Sequence, residues 1–344
     1  MTPPAPGAAA TAPQPSDHGP ALDLHGADAL LRRLELAVRN KLDGLLQGNY
    51  QGLVPGPGSE AGESRPYSIG DDVRRMDWPV TARTTEPHIR QTVADRELET
   101  WLVVDLSPSM DFGTGHTEKR ELVLAALTSV VHLTVRGGNR VGAVVGNGES
   151  TQVIPALGGR AHARHLLRRI AATPRASAAG ANDLTGMLES LRRPLRRRGL
   201  VAVVSDFMDT GAPAGTPFGS AAAPAAAPPW SRALRALAGR HQLLAVEVLD
   251  PRELELPAAG LVTFVDPETG RQLEVQTSDR KVRARYAEAA AQQRNRIAAA
   301  LRHGGAAHLQ LRTDRDWISD VVRFVIAQRQ FVSGAVGAAN GSAR

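Results

Sequence analysis

Short, continuous apolar runs punctuate this chain, and amphipathic stretches separate them. Glu99 to Val104, Val141 to Val145, Leu200 to Val204 and Leu243 to Leu249 are strand-sized and rich in Val and Leu. Runs of this kind fit strands covered on both faces. Between and after them, Lys119 to Val135, Ala161 to Ile170, Asp183 to Leu195, Ser231 to Gly239, Lys281 to His303 and Trp317 to Gln328 carry helical periodicity. Thr151 to Ile154 reads as a hairpin mate for the second strand, and Ala307 to Leu311 as the last strand. Strands alternating with helices predict an α/β fold with a mostly parallel central sheet and helices on both faces.

The N-terminal part follows a different pattern. Residues 1 to 26 hold Ala, Pro and Gly with little to bury, which predicts a disordered tail. Leu30, Leu31, Leu34, Leu36, Val38 and Leu42 then recur at roughly helical spacing among Arg32, Arg33, Glu35 and Arg39. That predicts one amphipathic helix ending near Gly44 or Gly48. A Gly/Pro loop, an irregular, polar, tightly turned segment at 63 to 80 and a strand-like stretch around His88 to Asp95 complete a region spanning 27 to 98. The main domain is expected over 99 to 330. An Ala/Pro/Gly tract at 211 to 229 reads as a surface loop within it. Residues 254 to 277 read as a hairpin insertion, with the turn at Asp266-Pro-Glu-Thr-Gly270. The tail from 331 to 344 has nothing to pack.

Composition narrows the function classes. Of 344 residues, 42% are hydrophobic and none is Cys. That removes disulfides, thiolate chemistry and Cys-ligated zinc, and fits a reducing compartment. No apolar run spans a bilayer and the first residues do not form a signal peptide, so a cytoplasmic protein is expected. The formal charge of +6 is mild and favours acidic partners. The basic run Leu191-Arg-Arg-Pro-Leu-Arg-Arg-Arg198 has no interleaved aromatic, so it reads as a solvated helix end and not as a nucleic-acid surface. His162 and His165 lack further ligands for zinc. No phosphate-loop motif is present.

The chemistry gathers at strand ends. Trp101-Leu-Val-Val-Asp-Leu-Ser-Pro-Ser-Met110 runs an apolar strand into Asp105, with hydroxyls following at Ser107 and Ser109. Asp206 ends a second apolar strand of the same form. In open α/β sheets, ligands collect beyond the carboxyl ends of strands. Hard oxygen donors there suit Mg²⁺, with other divalent cations as alternatives. The bland reading is a turn in which Ser hydroxyls cap backbone amides. A polar segment, Gly70 to Trp78, is expected to be pinned by its Asp and Arg side chains, with Tyr67 and Trp78 anchoring it on the main domain.

Several stretches together resemble the bacterial DUF58 family. They are Arg65-Pro-Tyr-Ser-Ile-Gly-Asp-Asp-Val-Arg-Arg-Met-Asp-Trp78, Thr81-Ala-Arg83, Val104-Asp-Leu-Ser-Pro-Ser-Met-Asp-Phe-Gly113 and Val204-Ser-Asp-Phe207. The resemblance implies a von Willebrand factor type A-like fold with a metal-ion-dependent adhesion site. Its ligands map onto Asp105, Ser107, Ser109 and Asp206. A Thr usually adds a ligand, but the matching stretch here is Ala181-Asn-Asp-Leu184, so Asn182 takes that position. Thr185 is a substitute. The resemblance further implies a non-enzymatic, Mg²⁺-dependent protein-interaction module, an adaptor or co-chaperone for a MoxR-type AAA+ ATPase. Two alternatives stay open: a Mg²⁺-dependent phosphoryl-transfer enzyme, which Ser107 in place of a second acid disfavours, and a scaffold with a degenerate metal site, which Asn182 favours.

Overall fold

The fully buried strand β3 (Glu99–Asp105) organises the molecule. It is described here from a computed structural model covering residues 24–45, 64–67, 76–90, 99–135, 138–176, 183–208, 227–265 and 272–328. Parallel to β3 on its two sides run β4 (Arg140–Gly146) and β6 (Gly199–Ser205). Beyond β6 lie β7 (Gln242–Leu249) and β10 (Ala306–Arg312), both parallel. Beyond β4, the antiparallel β5 (Thr151–Leu157) closes the edge. The order is β10-β7-β6-β3-β4-β5. This is the mostly parallel sheet that the apolar runs predict.

Side chains alternate along the central strands and serve two cores. Leu102, Val104, Ala202 and Val204 meet α3 (Lys119–Val135), α4 (Arg160–Ala171) and the last helix, α8 (317–328). Trp101, Val103, Val201 and Val203 meet α5 (Leu184–Ser190), α6 (Trp230–Ala238) and α7 (Arg280–His303). Helix α3 is buried nearly all round, which explains its uniformly apolar sequence. Its outer side is covered by α1 (Leu24–Leu45), whose Ala27, Leu31, Leu34 and Val38 are buried at helical spacing. Ion pairs of α1 with α3 (Arg33–Glu121) and with α4 (Asp28–Arg168, Glu35–Arg164) fix its position.

Two smaller sheets flank this body. One pairs β1 (Ser64–Pro66) with β2 (His88–Arg90), and the other pairs β8 (Leu261–Val265) with β9 (Gln272–Gln276). The second is the hairpin anticipated from its turn. The segment at 63 to 80 contradicts its reading as wholly irregular. It includes β1 and the start of α2 (Trp78–Thr84). Trp78 is 67% exposed and does not anchor the segment. The cause is local: Asp77 caps α2 by accepting from Val80 N, and Pro79 sets the first turn, so Trp78 sits outside at the helix start. The tails and most of the 211–229 tract, like Gly70 to Arg75, lie outside the described residues.

Strands β3 and β6 approach closely at Gly199, where an added Cβ would lie 1.8 Å from the carbonyl oxygen of Glu99. Gly199→Ala is expected to cost roughly 1–3 kcal/mol through forced separation of the strands. Urea unfolding measures this, and an unchanged midpoint would contradict the close approach.

Candidate functional site

Asp105 and Asp206 end neighbouring parallel strands, β3 and β6, on one rim of the sheet. Both are fully buried. From Asp105 the chain leaves the sheet in a loop. Ser107 N donates to Asp105 Oδ1 at 2.9 Å, and Pro108–Met110 form a single 3-10 turn. This turn brings Ser107 Oγ to 3.2 Å from Ser109 Oγ, and Ser109 Oγ donates to Asp206 Oδ2 at 2.8 Å. The fold therefore brings together Asp105, Ser107, Ser109 and Asp206. Asn182 lies outside the described residues. Thr185, on α5, has a buried hydroxyl with no hydrogen-bond partner among the described residues. A cavity of about 210 Å³ opens beside Asp105, lined also by Gly146, Glu149, Ser150, Asp183 and Met187.

Asp206 is aimed by backbone strain. Phe207 follows it with φ +56°, a left-handed conformation costly for a bulky residue. Its ring packs edge-on against Trp230 with centroids 5.2 Å apart, and its N–H donates to Ser205 Oγ at 3.0 Å. Ser205 in turn donates to Asp105 Oδ2 at 2.7 Å. The two carboxylates are thus linked through one hydroxyl and one strained peptide.

The sequence pattern did not reveal the cation already there. Lys119, the first residue of α3, is fully buried, and its Nζ lies 2.8 Å from Asp206 Oδ2 and 2.7 Å from Glu253 Oε1. A lysine at a helix N-terminus opposes the helix dipole, and the two carboxylates offset that. No local cue set Lys119 apart, because Arg120 and Glu121 follow it at the polar start of the helix. Asp250 was missed as well. It ends β7 as Asp105 and Asp206 end their strands, and it accepts from Thr114 N at 2.7 Å, Thr114 Oγ1 at 2.6 Å and Thr313 Oγ1 at 2.7 Å. These bonds tether the remainder of the Ser loop to the ends of β7 and β10. Arg294 of α7 ties Glu247 of β7, at 2.7 Å, to the carbonyl of Asp206, at 3.3 Å.

These surroundings separate the two aspartates. Burial, reinforced by the nearby Asp206, pushes the Asp105 carboxyl up to about 6 despite the Ser107 and Ser205 bonds. Burial also opposes ionisation of Asp206, but the Lys119 ammonium outweighs it and holds that carboxyl below its ordinary value. Asp206 and Glu253 likewise outweigh burial of Lys119 and hold its ammonium above the usual range.

The donor set fits a small, hard cation. Mg²⁺ binds oxygens at about 2.0–2.1 Å in an octahedron, so adjacent ligands lie roughly 2.9 Å apart. The spacings of 3.2 and 2.8 Å among Ser107, Ser109 and Asp206 are hydrogen-bond lengths that fall near that edge, and Asp206 Oδ2 also accepts from Lys119. The orphaned Thr185 hydroxyl lies on α5, whose Met187 lines the cavity beside Asp105.

Comparison with known proteins identifies the family. The pattern of "Protein of unknown function DUF58" matches residues 63–296. The chain belongs to the DUF58 family. Two relatives are uncharacterized mycobacterial proteins. Mb1516 of Mycobacterium bovis is 51% identical over 302 residues, covering 88% of this chain and 90% of that one. MAV169 of Mycobacterium avium is 45% identical over 177 residues, covering 52% and 94%. Among solved structures, BatB from Bacteroides thetaiotaomicron aligns over 68% of this chain and 99% of its own, at 14% identity and a TM-score of 0.38. A von Willebrand factor type A protein from Catenulispora acidiphila aligns over 68% and 42%, at 13% identity and a TM-score of 0.34. Superpositions this loose assign no chemistry to a DUF58 protein. No helix among the described residues is long and apolar enough to cross a membrane.

Two measurements probe the buried charges. Lys119→Met leaves the buried Asp206 carboxyl without its counter-charge, and is expected to cost roughly 3–5 kcal/mol; adding Asp206→Asn should recover most of it. Chemical denaturation of the single and double variants checks this, and equal losses in both would contradict the pairing. Because Asp105 is raised from 3.8 to about 6, its neutral form contributes stability that is complete below the ordinary value and lost as pH rises through about 6. In chelator, the wild type should lose on the order of 2–3 kcal/mol over that window, and Asp105→Asn should not. Matching pH profiles for the two proteins would show that Asp105 does not titrate this way.

Proposed function

We propose that this DUF58 protein is a non-enzymatic protein-interaction module whose rim holds a Mg²⁺ ion for a partner's carboxylate. Asp105, Ser107 and Ser109 would hold the ion, with Asp206 beside them and Thr185 or Asn182 completing the oxygen set. Bound there, the ion would offer a Lewis-acidic position to an incoming acid. The observation that carries the proposal is the convergence of Ser107, Ser109 and Asp206 oxygens, joined by hydrogen bonds, beside Asp105 on one rim. Neutral hydroxyl ligands leave the ion electron-poor, which favours an anionic partner.

The chain's own residues set the charge balance. Asp105, Asp206 and Glu253 against Lys119 leave two net negative charges when all are ionised, which one divalent cation neutralises. The same arrangement argues against phosphoryl transfer. Ser107 replaces the second acid of an Asp-x-Asp loop, and among the described residues no histidine hydrogen-bonds to Ser107 or Ser109. The partner we propose is a MoxR-type AAA+ ATPase, which the family resemblance supports.

One observation favours a second reading. The Lys119 ammonium already serves Asp206, so the module can be a scaffold whose only cation is its own lysine.

Calorimetry with Mg²⁺ and Mn²⁺, followed by capture of a purified MoxR-type ATPase in Mg²⁺ or EDTA, separates these readings. The metal reading expects one ion per chain, loss of binding in Asp105→Ala and Ser109→Ala, and capture at least tenfold weaker in EDTA. No ion binding, with capture unchanged in EDTA and in Asp105→Ala, would overturn it and favour the scaffold.

A further inference from the structure

The far half of α3 borders a second concavity that the metal rim does not use. Helices α1, α3 and α4 enclose a groove of about 430 Å³. Its floor is mostly apolar: Val131 and Val135 from α3 and Leu167 from α4 lie beside Thr128 and His132, with Leu36 of α1 standing 50% exposed at the edge. Its rim is basic: Arg32 and Arg39 from α1 and Arg160 and Arg164 from α4. One acid, Glu35, lies among them and is spent on Arg164 at 3.6 Å. Arg32, Arg39 and Arg160 carry no ion pair among the described residues. Two basic helix faces are therefore held together across an apolar trough with most of their charge uncompensated.

The spacing points to the shape of the occupant. Arg32 and Arg39 are seven residues apart on one helix face, about 10 Å along the axis. A small anion would meet one of them. A helix lying in the trough would meet both, placing apolar side chains on the floor and carboxylates along the rim. Nucleic acid fits less well, because the half-buried His132 is the single ring in the groove and no Phe, Tyr or Trp lines it to stack successive bases. A flat lipid surface would not reach a concave apolar floor.

We propose that this groove is a docking site for an acidic amphipathic helix of a protein partner. The site is independent of the metal rim. Lys119 and Val135 end the same helix about 24 Å apart, so the two surfaces can engage one partner at two places. Opposite charge would speed and orient the encounter, while apolar side chains on the floor would hold the complex.

A phage-displayed peptide library selected on the full chain tests this. The expected result is enrichment of peptides with apolar residues at i, i+3 or i+4 and i+7 and with Asp or Glu on the flanks. A labelled synthetic copy of the leading peptide should bind in fluorescence anisotropy, weaken with salt and ignore EDTA. Arg39→Glu combined with Arg160→Glu should weaken it at least tenfold, and Leu36→Asp likewise. All three residues are exposed, so thermal melting should match the wild type; if Leu36→Asp melts early, the arginine pair decides alone. Enriched peptides without acids or helical spacing would overturn the proposal, as would affinity unchanged in the variants. So would selection of no peptide while a single-stranded oligonucleotide or phosphatidylglycerol vesicles bind. Loss of partner capture in EDTA with peptide binding intact would leave the groove standing and confirm that the metal rim is separate.

Discussion

The buried ammonium of Lys119 is the constraint around which the carboxyl rim is arranged. It lies against Asp206, at the end of one central strand, and against Glu253, just beyond the next. Without it, three carboxylates would crowd one end of a low-dielectric sheet, and at least one would be forced to stay protonated. With it, Asp206 stays ionised, Ser109 donates to a charged acceptor, and the Ser loop takes up a defined shape. The lysine also anchors the start of α3, so the central helix and the rim are positioned by the same contact.

Strain and hydrogen bonding complete that arrangement. The left-handed peptide at Phe207 persists because Trp230 and Ser205 hold it from two sides. Asp250 does the corresponding work for the remainder of the loop, taking three hydrogen bonds from Thr114 and Thr313. Such a site is prepared in advance, and a ligand entering it would have little further ordering to cost it.

The apolar runs were enough to read the sheet, because strands covered on both faces admit little else. Asp105, Ser107 and Ser109 were legible from local spacing, and Asp206 from the repeat of a strand ending in an acid. Asp250 ends its strand in the same manner, and that cue was available. Lys119 was not legible, since its meaning depends on Asp206 and Glu253, 87 and 134 positions away. Trp78 was misread because an aromatic among charges suggests an anchor, whereas Asp77 and Pro79 were already marking a helix start. The groove depends on how α1 lies across two other helices, and no single segment encodes that.

The placement of α1 bears on where this protein can be divided. The family pattern covers 63–296, yet α1 lies before it, and β10 and α8 lie after it. A fragment cut at those limits would strip the edge partner from β7 and wet the apolar flank of α3 that Leu31, Leu34 and Val38 now keep dry. Kinship and packing therefore mark different borders in this chain: the family pattern is shorter than the body that shares this core.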